Sequence, residues 1–327
     1  MNRRNQILAA LLIGQLIVGV LALVLPVQAT QTQSRPLLEQ LTDADVTAFT
    51  IREQPDNEVR IARKDDQWVL PDVDDYPVDK TKVTELLSKL TSIQVGKPVL
   101  TTAGGHARLQ VAEDAFNRRV DLATNKGERT LFFGQARGGS AHVRVAGSDE
   151  VFLTTRLAPY DIASDLSSWI NAVYFTSTQQ EIGRVAIANI TGTLEFQRNL
   201  ADAWELKGLA ASETFDPGRL ETILTRVSSL YMTRPLGKVE KPEYGLSRPT
   251  AVLTLTLKSD ISGLQPLVLK VGARNEADNT YVVKSSGSPW YAHVNAFVLE
   301  EIINARREDF LQPPATPTPE ATTTPAP

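Results

Sequence analysis

The chemistry-bearing residues of this chain gather in a few short stretches. Asp72, Asp74, Asp75 and Asp79 crowd into PDVDDYPVDK. Clustered carboxylates are what a hard cation such as calcium takes as ligands. The stretch lacks the glycine and the closing glutamate of an EF-hand loop, so it reads as solvated loop charge, with Asp79 engaged in starting a helix. His106, His142 and His293 lie far apart and form no H-x-x-H, HExxH or H-x-E pattern. Gly138-Gly139-Ser140 and Ser285-Ser286-Gly287-Ser288 are turn-forming runs without the G-x-S-x-G of a nucleophile elbow. Gly104-Gly105 lacks the lysine and hydroxyl residue of a phosphate loop. With no cysteine, thiol nucleophiles, iron–sulfur clusters and cysteine zinc sites are excluded. The expectation is therefore no catalytic, cofactor-binding or metal-binding residue, and no enzyme. A hydrolase built on two acids that meet in space is the weakest alternative, because no spacing selects such a pair. Asn189-Ile190-Thr191 fits a glycosylation sequon.

The aromatic residues divide into two kinds. Trp68 and Trp204 stand 136 residues apart in similar contexts, RIARKDDQWVL and EFQRNLADAWEL, and read as core. Trp290 and Tyr291, together with Tyr244, are the candidates for an exposed interaction surface.

The elements that position these residues repeat. Residues 79–99 and 216–236 each begin with an aspartate and carry one apolar stripe. Val83, Leu86, Leu87, Leu90 and Ile93 match Leu220, Ile223, Leu224, Val227 and Leu230 at the spacing of one helix face. Asp79 and Asp216 suit the cap, where a carboxylate accepts backbone N–H bonds. Beyond each helix a leucine follows in a loop, Leu109 and Leu246, and then short strands. Residues 119–122, 131–134, 142–145 and 151–153 pair with 252–257, 269–272, 280–283 and 290–292, between turn residues that mark hairpins. Short closing helices are expected at 159–170 and 295–310. The fold class expected is α+β, a transmembrane helix followed by two similar domains, each an antiparallel sheet with one amphipathic helix and a short closing helix.

The boundaries follow from composition. Residues 1–6 are a short basic cytoplasmic segment, and 7–25 read ILAALLIGQLIVGVLALVL, about 19 apolar-dominated positions, long enough to span a bilayer. Arg3 and Arg4 before it predict the N-terminus inside and the body outside, a single-pass plasma-membrane protein. The alternative is a signal peptide cleaved near Ala29 and a secreted body. Residues 26–40 form a linker, 41–173 and 174–312 the two repeat domains, and 313–327 a Pro/Thr-rich disordered tail. The net charge of −4 gives no electrostatic ground for a nucleic-acid partner.

The anchor, the strand ends Trp68-Val69-Leu70 and Trp204-Glu205-Leu206, the Tyr244-Gly245-Leu246-Ser247-Arg248-Pro249 loop and the pair Leu269–Gly272 with Tyr281-Val282 resemble the bacterial domain of unknown function 4340 family. Residues 40–312 carry the resemblance. It implies two tandem copies in an exported, tethered protein, and some relatives look like auxiliary components of gliding-motility-type ABC transporters. The expected function is a non-catalytic binding or scaffolding module with a protein partner in the envelope. The alternative is a small-ligand or glycan-binding protein with its site between the two repeats.

Overall fold

The computed structural model describes residue 3 and residues 12–16, 34–259 and 265–313. Alternation of apolar and polar residues builds its strands. In β2 (Val46–Glu53), Phe49 and Ile51 are buried while Thr50 and Arg52 face away. One antiparallel sheet runs in the order β10 (Val151–Thr154), β9 (Ser140–Val145), β8 (Gly127–Arg137), β7 (Arg118–Thr124), β2, β3 (Asn57–Lys64), β4 (Gln67–Leu70), β5 (Tyr76–Pro77). The other runs β11 (Val173–Thr176), β15 (Ser229–Pro235), β19 (Tyr291–Asn295), β18 (Thr280–Ser285), β17 (Leu267–Asn275), β16 (Ala251–Leu257), β12 (Ile182–Asn189), β13 (Gly192–Arg198), β14 (Trp204–Leu206). Short β1 (Arg35–Pro36) and β6 (Gln94–Val95) pair separately. Strands β10-β9-β8-β7-β2-β3-β4 and β19-β18-β17-β16-β12-β13-β14 thus follow one order, each set interrupted after its last-named strand by an α-helix.

Those helices are α1 (Lys80–Thr91) and α2 (Gly218–Val227). Val83, Leu86, Leu87 and Leu90 of α1 and Leu220, Ile223, Leu224 and Val227 of α2 are buried in the main core, which also takes in Trp68 and Trp204. Asp79 Oδ1 accepts from Thr81 N (2.9 Å) and Asp216 Oδ1 from Gly218 N (2.9 Å), so both carboxylates satisfy a free helical N–H. The backbone of the same aspartates anchors the chain ends: Asp79 N donates to Trp169 O and Asp216 N to Phe310 O, both at 2.8 Å. Trp169 then packs on Phe49 (5.7 Å between rings) and Phe310 on Phe196 (4.9 Å).

Two glycines share a tighter duty. A Cβ on Gly134 of β8 would stand 1.9 Å from Leu109 O, and one on Gly272 of β17 would stand 2.0 Å from Tyr244 O. Both sit where the strand slips register against its neighbour, a bulge. Through this approach, the loop after each helix lies on the outer sheet face. There it forms a small second core: Val111, Phe132 and Val151 in one half, Tyr244, Leu246, Val282 and Tyr291 in the other. The loop leucines 109 and 246 are therefore not equivalent. Leu109 corresponds to Tyr244, and Val111 to Leu246, whose side chains stand 3.0 and 3.1 Å from the same Cβ positions.

Several expectations are corrected. The described residues are mostly β-sheet with few helices, arranged in two large sheets, which corrects the α+β class expected. Residues 229–235 were expected to continue α2, but Leu230 and Met232 alternate with exposed Tyr231 and Thr233, and this two-residue period gives strand β15. Residues 159–170 form two short 3₁₀ turns, Pro159–Asp161 and Leu166–Trp169, because Asp161 and Asp165 cap each turn separately. The second closing segment is α3 (Ala296–Ile303) followed by a 3₁₀ turn. Of the stretch 7–25, only 12–16 are described, as helix. No helix among the described residues is long and apolar enough to cross a membrane, and the rest of the stretch 7–25 lies outside the described residues. The single-pass anchor and the plasma-membrane localisation drawn from it are accordingly not supported. The cleavage position near Ala29 and residues 314–327 of the tail lie outside the described residues.

Gly272→Ala and Gly134→Ala are each expected to destabilise the protein by about 1–3 kcal/mol, at the upper end because the obstacle is backbone rather than a side chain that can turn away. Gly104→Ala, with nothing within 4 Å of its Cβ, is the control and is expected to stay within about 0.5 kcal/mol. The midpoint of urea unfolding at constant slope measures all three.

Candidate anion-binding site

The site forms on the outer face of the second sheet. Leu269 and Val271 of β17, Val283 of β18 and Ala292 and Val294 of β19 point into the main core, so Val268, Lys270, Lys284, Tyr291 and His293 take the opposite face. Register places Lys270 directly opposite Lys284, and Lys284 directly opposite Tyr291. The result is a transverse row of ammonium, ammonium and phenol. A cavity of about 300 Å³ opens over it, walled by Leu246 and Val268 and edged by Ser285, Ser286 and Glu240.

The far wall is a strap, residues 236–246. Leu236 N donates to Tyr291 O and Tyr291 N to Gly237 O, both at 2.8 Å. Tyr291 Oη donates to Glu240 Oε2 (3.1 Å), Tyr244 Oη donates to Leu236 O (3.2 Å), and the two rings lie 5.3 Å apart. Burial, then Glu240, pushes the Tyr291 phenol above its ordinary pKa. The strap also reaches the first half. Lys238 N donates to Asp74 Oδ2 (2.6 Å), and a Cβ on Gly237, at φ +89°, would meet that same oxygen at 2.6 Å.

Lys284 Nζ donates to Ser285 O (2.8 Å) and Ser288 O (2.5 Å). Burial, and then the charge of Lys270, lowers its pKa below the ordinary lysine value. Two of its N–H groups are thus committed to backbone carbonyls. Among the described residues neither lysine forms an ion pair. Like charges directly opposite on neighbouring strands destabilise a sheet. An anion bound between them would remove that repulsion.

A second polar network lies two residues along β19. His293 is buried, with Nδ1 2.6 Å from Thr280 Oγ1 and Nε2 3.3 Å from Arg234 Nη2. Thr280 Oγ1 is also 2.5 Å from Asp278 Oδ1. The proton inventory assigns one arrangement. The hydroxyl donates to the carboxylate, so Nδ1–H donates to the hydroxyl and the Nε2 lone pair accepts from the guanidinium. Burial first, then Arg234, lowers the His293 pKa, while Asp278 opposes them.

The outer face of the first sheet holds a shallow cavity of about 340 Å³. Its Asp121 accepts from Arg52, from Arg119 Nε (2.9 Å) and from Thr130 Oγ1 (2.6 Å), and Arg52 also pairs with Glu58 (2.6 Å). Two of its guanidiniums, Arg52 and Arg119, are therefore paired, while Arg60 and Arg129, which also line it, form no ion pair among the described residues; unlike Lys270 and Lys284, they do not stand opposite one another.

Structure relocates the residues singled out above. Tyr291 and Tyr244 are buried, correcting the exposed surface expected of them, because the strap covers the face that alternation alone leaves open. Trp290 is half-buried, its ring 4.9 Å from Tyr76 and under Lys238 Nζ at 4.7 Å. Tyr174 Oη donates to Trp290 O (2.7 Å). These contacts lie at the join between the halves, where a ligand site was the alternative expected. Trp68 packs on Phe49 (5.8 Å), and Trp204 lies beneath Arg198 (4.4 Å). In the acidic loop Asp74 holds the strap, Asp75 pairs with Lys64 and Asp79 caps α1. His106 Nε2 lies 3.0 Å from Asp149 O, and His142 Nδ1 lies 3.3 Å from Gln135 O. The Asn189 amide donates to Ile302 O and Ala305 O while its oxygen accepts from Thr191, so the sequon is a structural turn that ties β12 to the end of α3.

Lys270→Glu is expected to raise stability by about 0.2–1 kcal/mol by turning a cross-strand repulsion into an attraction, read as a higher urea midpoint. The His293 shift carries a pH signature. A folded pKa below the unfolded value of 6.5 means the unfolded chain binds the extra proton, so this stabilisation is complete above pH 6.5 and is lost as the pH falls through the folded pKa. Unfolding curves taken downward from pH 7.5 are expected to show that decline, and His293→Gln is expected to flatten it.

No curated protein and no solved structure matches the chain. Residues 68–249 match the family "Domain of unknown function (DUF4340)", a span that begins at Trp68 and ends just past the strap. That is more than half of the sequence, and the chain belongs to the DUF4340 family.

Proposed function

We propose that this protein is a non-catalytic binding module that holds an anionic group against Lys270 and Lys284. One observation carries the reading: two ammonium groups stand at directly paired positions of neighbouring strands, with no ion-pair partner among the described residues. The site is walled on one side by the apolar Leu246 and Val268, which lower the local dielectric and strengthen the attraction for a bound anion. The matching strand orders support a second part of the reading. The chain is a duplication in which one copy pairs Arg52 and Arg119 with Asp121 on its outer face and the other carries the directly opposed lysines.

The test is isothermal titration of the full-length protein with inorganic phosphate at low ionic strength. Saturable one-site binding is expected, weakening with added salt as the Debye length shortens. Lys270→Met and Lys284→Met are each expected to lower affinity by about tenfold or more, since a charge-assisted hydrogen bond contributes about 1.5–3 kcal/mol. Absence of saturable binding, or unchanged binding in both variants, overturns the proposal.

A further inference from the structure

The lining of this pocket also indicates the kind of anion, an inference that rests on the reading of the lysine pair as an anion site. We infer that the ligand is a small hydroxylated monocarboxylic acid, of the size and character of a single-ring sugar acid.

Size sets the first limit. A cavity of about 300 Å³ stands at the lower end of ligand pockets, which suits one ring as the part of the ligand held inside it. Charge sets the second. The ionised groups of the lining are Lys270, Lys284 and Glu240, a balance of one positive charge, so a ligand with one negative charge neutralises it. A phosphate monoester brings about 1.5–2 negative charges at pH 7 and sets the excess against Glu240. A zwitterionic amino acid brings none and leaves the lysine repulsion standing.

Hydrogen bonding sets the third limit. Glu240 accepts the Tyr291 phenol on Oε2, and Oε1 has no partner among the described residues. An ionised carboxylate only accepts, so a ligand that dries this rim must bring a donor to it. Ser286 is similarly committed. Its oxygen accepts from Val268 N (2.9 Å) and its proton reaches Pro266 O (3.4 Å). A plain aliphatic acid satisfies the lysines and brings no donor to Glu240, whose exposed Oε1 then stays with water. Hydroxyl groups on the far side of the ligand from its carboxylate supply one. The aliphatic walls, Leu246 and Val268, accept the C–H face of a ring between the two.

The experiment titrates the full-length protein with glucuronate, acetate, glucose, alanine and inorganic phosphate under one buffer condition. Glucuronate is expected to bind about tenfold more tightly than acetate or phosphate, and glucose and alanine not to saturate. Glu240→Gln is expected to remove most of the advantage of glucuronate over acetate. The same variant is expected to leave phosphate affinity equal or higher, because it removes a negative charge from the rim. Acetate or phosphate binding as tightly as glucuronate, or alanine binding best, overturns the ligand class and leaves the lysine anion site standing. Failure of every anion to bind overturns both.

Discussion

The loop that follows each helix can lie on the outer sheet face only because a glycine in the facing strand has no side chain. At Gly272 the missing Cβ leaves room for the carbonyl oxygen of Tyr244, and at Gly134 for that of Leu109. Everything on the outer face descends from this contact. With Tyr244 pinned to β17, its ring reaches Tyr291 and Leu246 covers Val282, which gives the sheet a second, smaller core. The strap then has one path back along β19, and that path carries Glu240 to the phenol and Lys238 N to Asp74. A side chain at position 272 would push away the wall of the site before touching any residue that lines it.

The two halves show how one frame tolerates different surfaces. Both keep the capped helix, the backbone bond from its aspartate to a closing aromatic residue, and the bulge glycine. These contacts involve backbone groups or buried apolar area, which a fold cannot lose without leaving buried polar atoms unpaired. The outward positions carry no such obligation. On the first sheet they hold Arg52, Arg119 and Asp121 in a closed charge network. On the second they hold two lysines with no such closure. Surface ion pairs contribute little to stability, so the first arrangement is inexpensive to keep or lose. The second works against stability, and that makes it the more informative of the two.

Much of this frame was legible in the sequence. The helix stripes, the capping Asp79, the paired tryptophans and most strands follow from period and turn chemistry; Asp216 sits one residue before the cap position, which Pro217 takes. More helix was expected than forms, because Leu230 extends the stripe of Leu220, Ile223, Leu224 and Val227, whereas Met232 sides with Leu230 only in the two-residue period of a strand. Sheet neighbours decided for strand. The pocket was harder to see. Lys270 and Lys284 each occupy an ordinary outward position, and only the register across the β17–β18 pair, shifted by the bulge near Gly272, sets them opposite one another. Tyr291 was expected exposed because alternation reports which face a residue takes, not whether a distant loop covers that face.

The strap joins two roles that usually fall to different elements. Its middle edges the cavity through Glu240 and Leu246, and its start is clasped by Asp74 of the first half. Lys238 contributes twice, its backbone N–H to Asp74 and its ammonium to the face of Trp290, which itself rests on Tyr76. A ligand that draws Glu240 toward the lysines therefore acts on the same few residues that hold the halves together. The chain of contacts between them is short: Glu240, the backbone through Val239, the Lys238 N–H and one carboxylate. The glycine at 237 sharpens it, since any larger residue there would meet the Asp74 carboxylate and separate the clasp from the site.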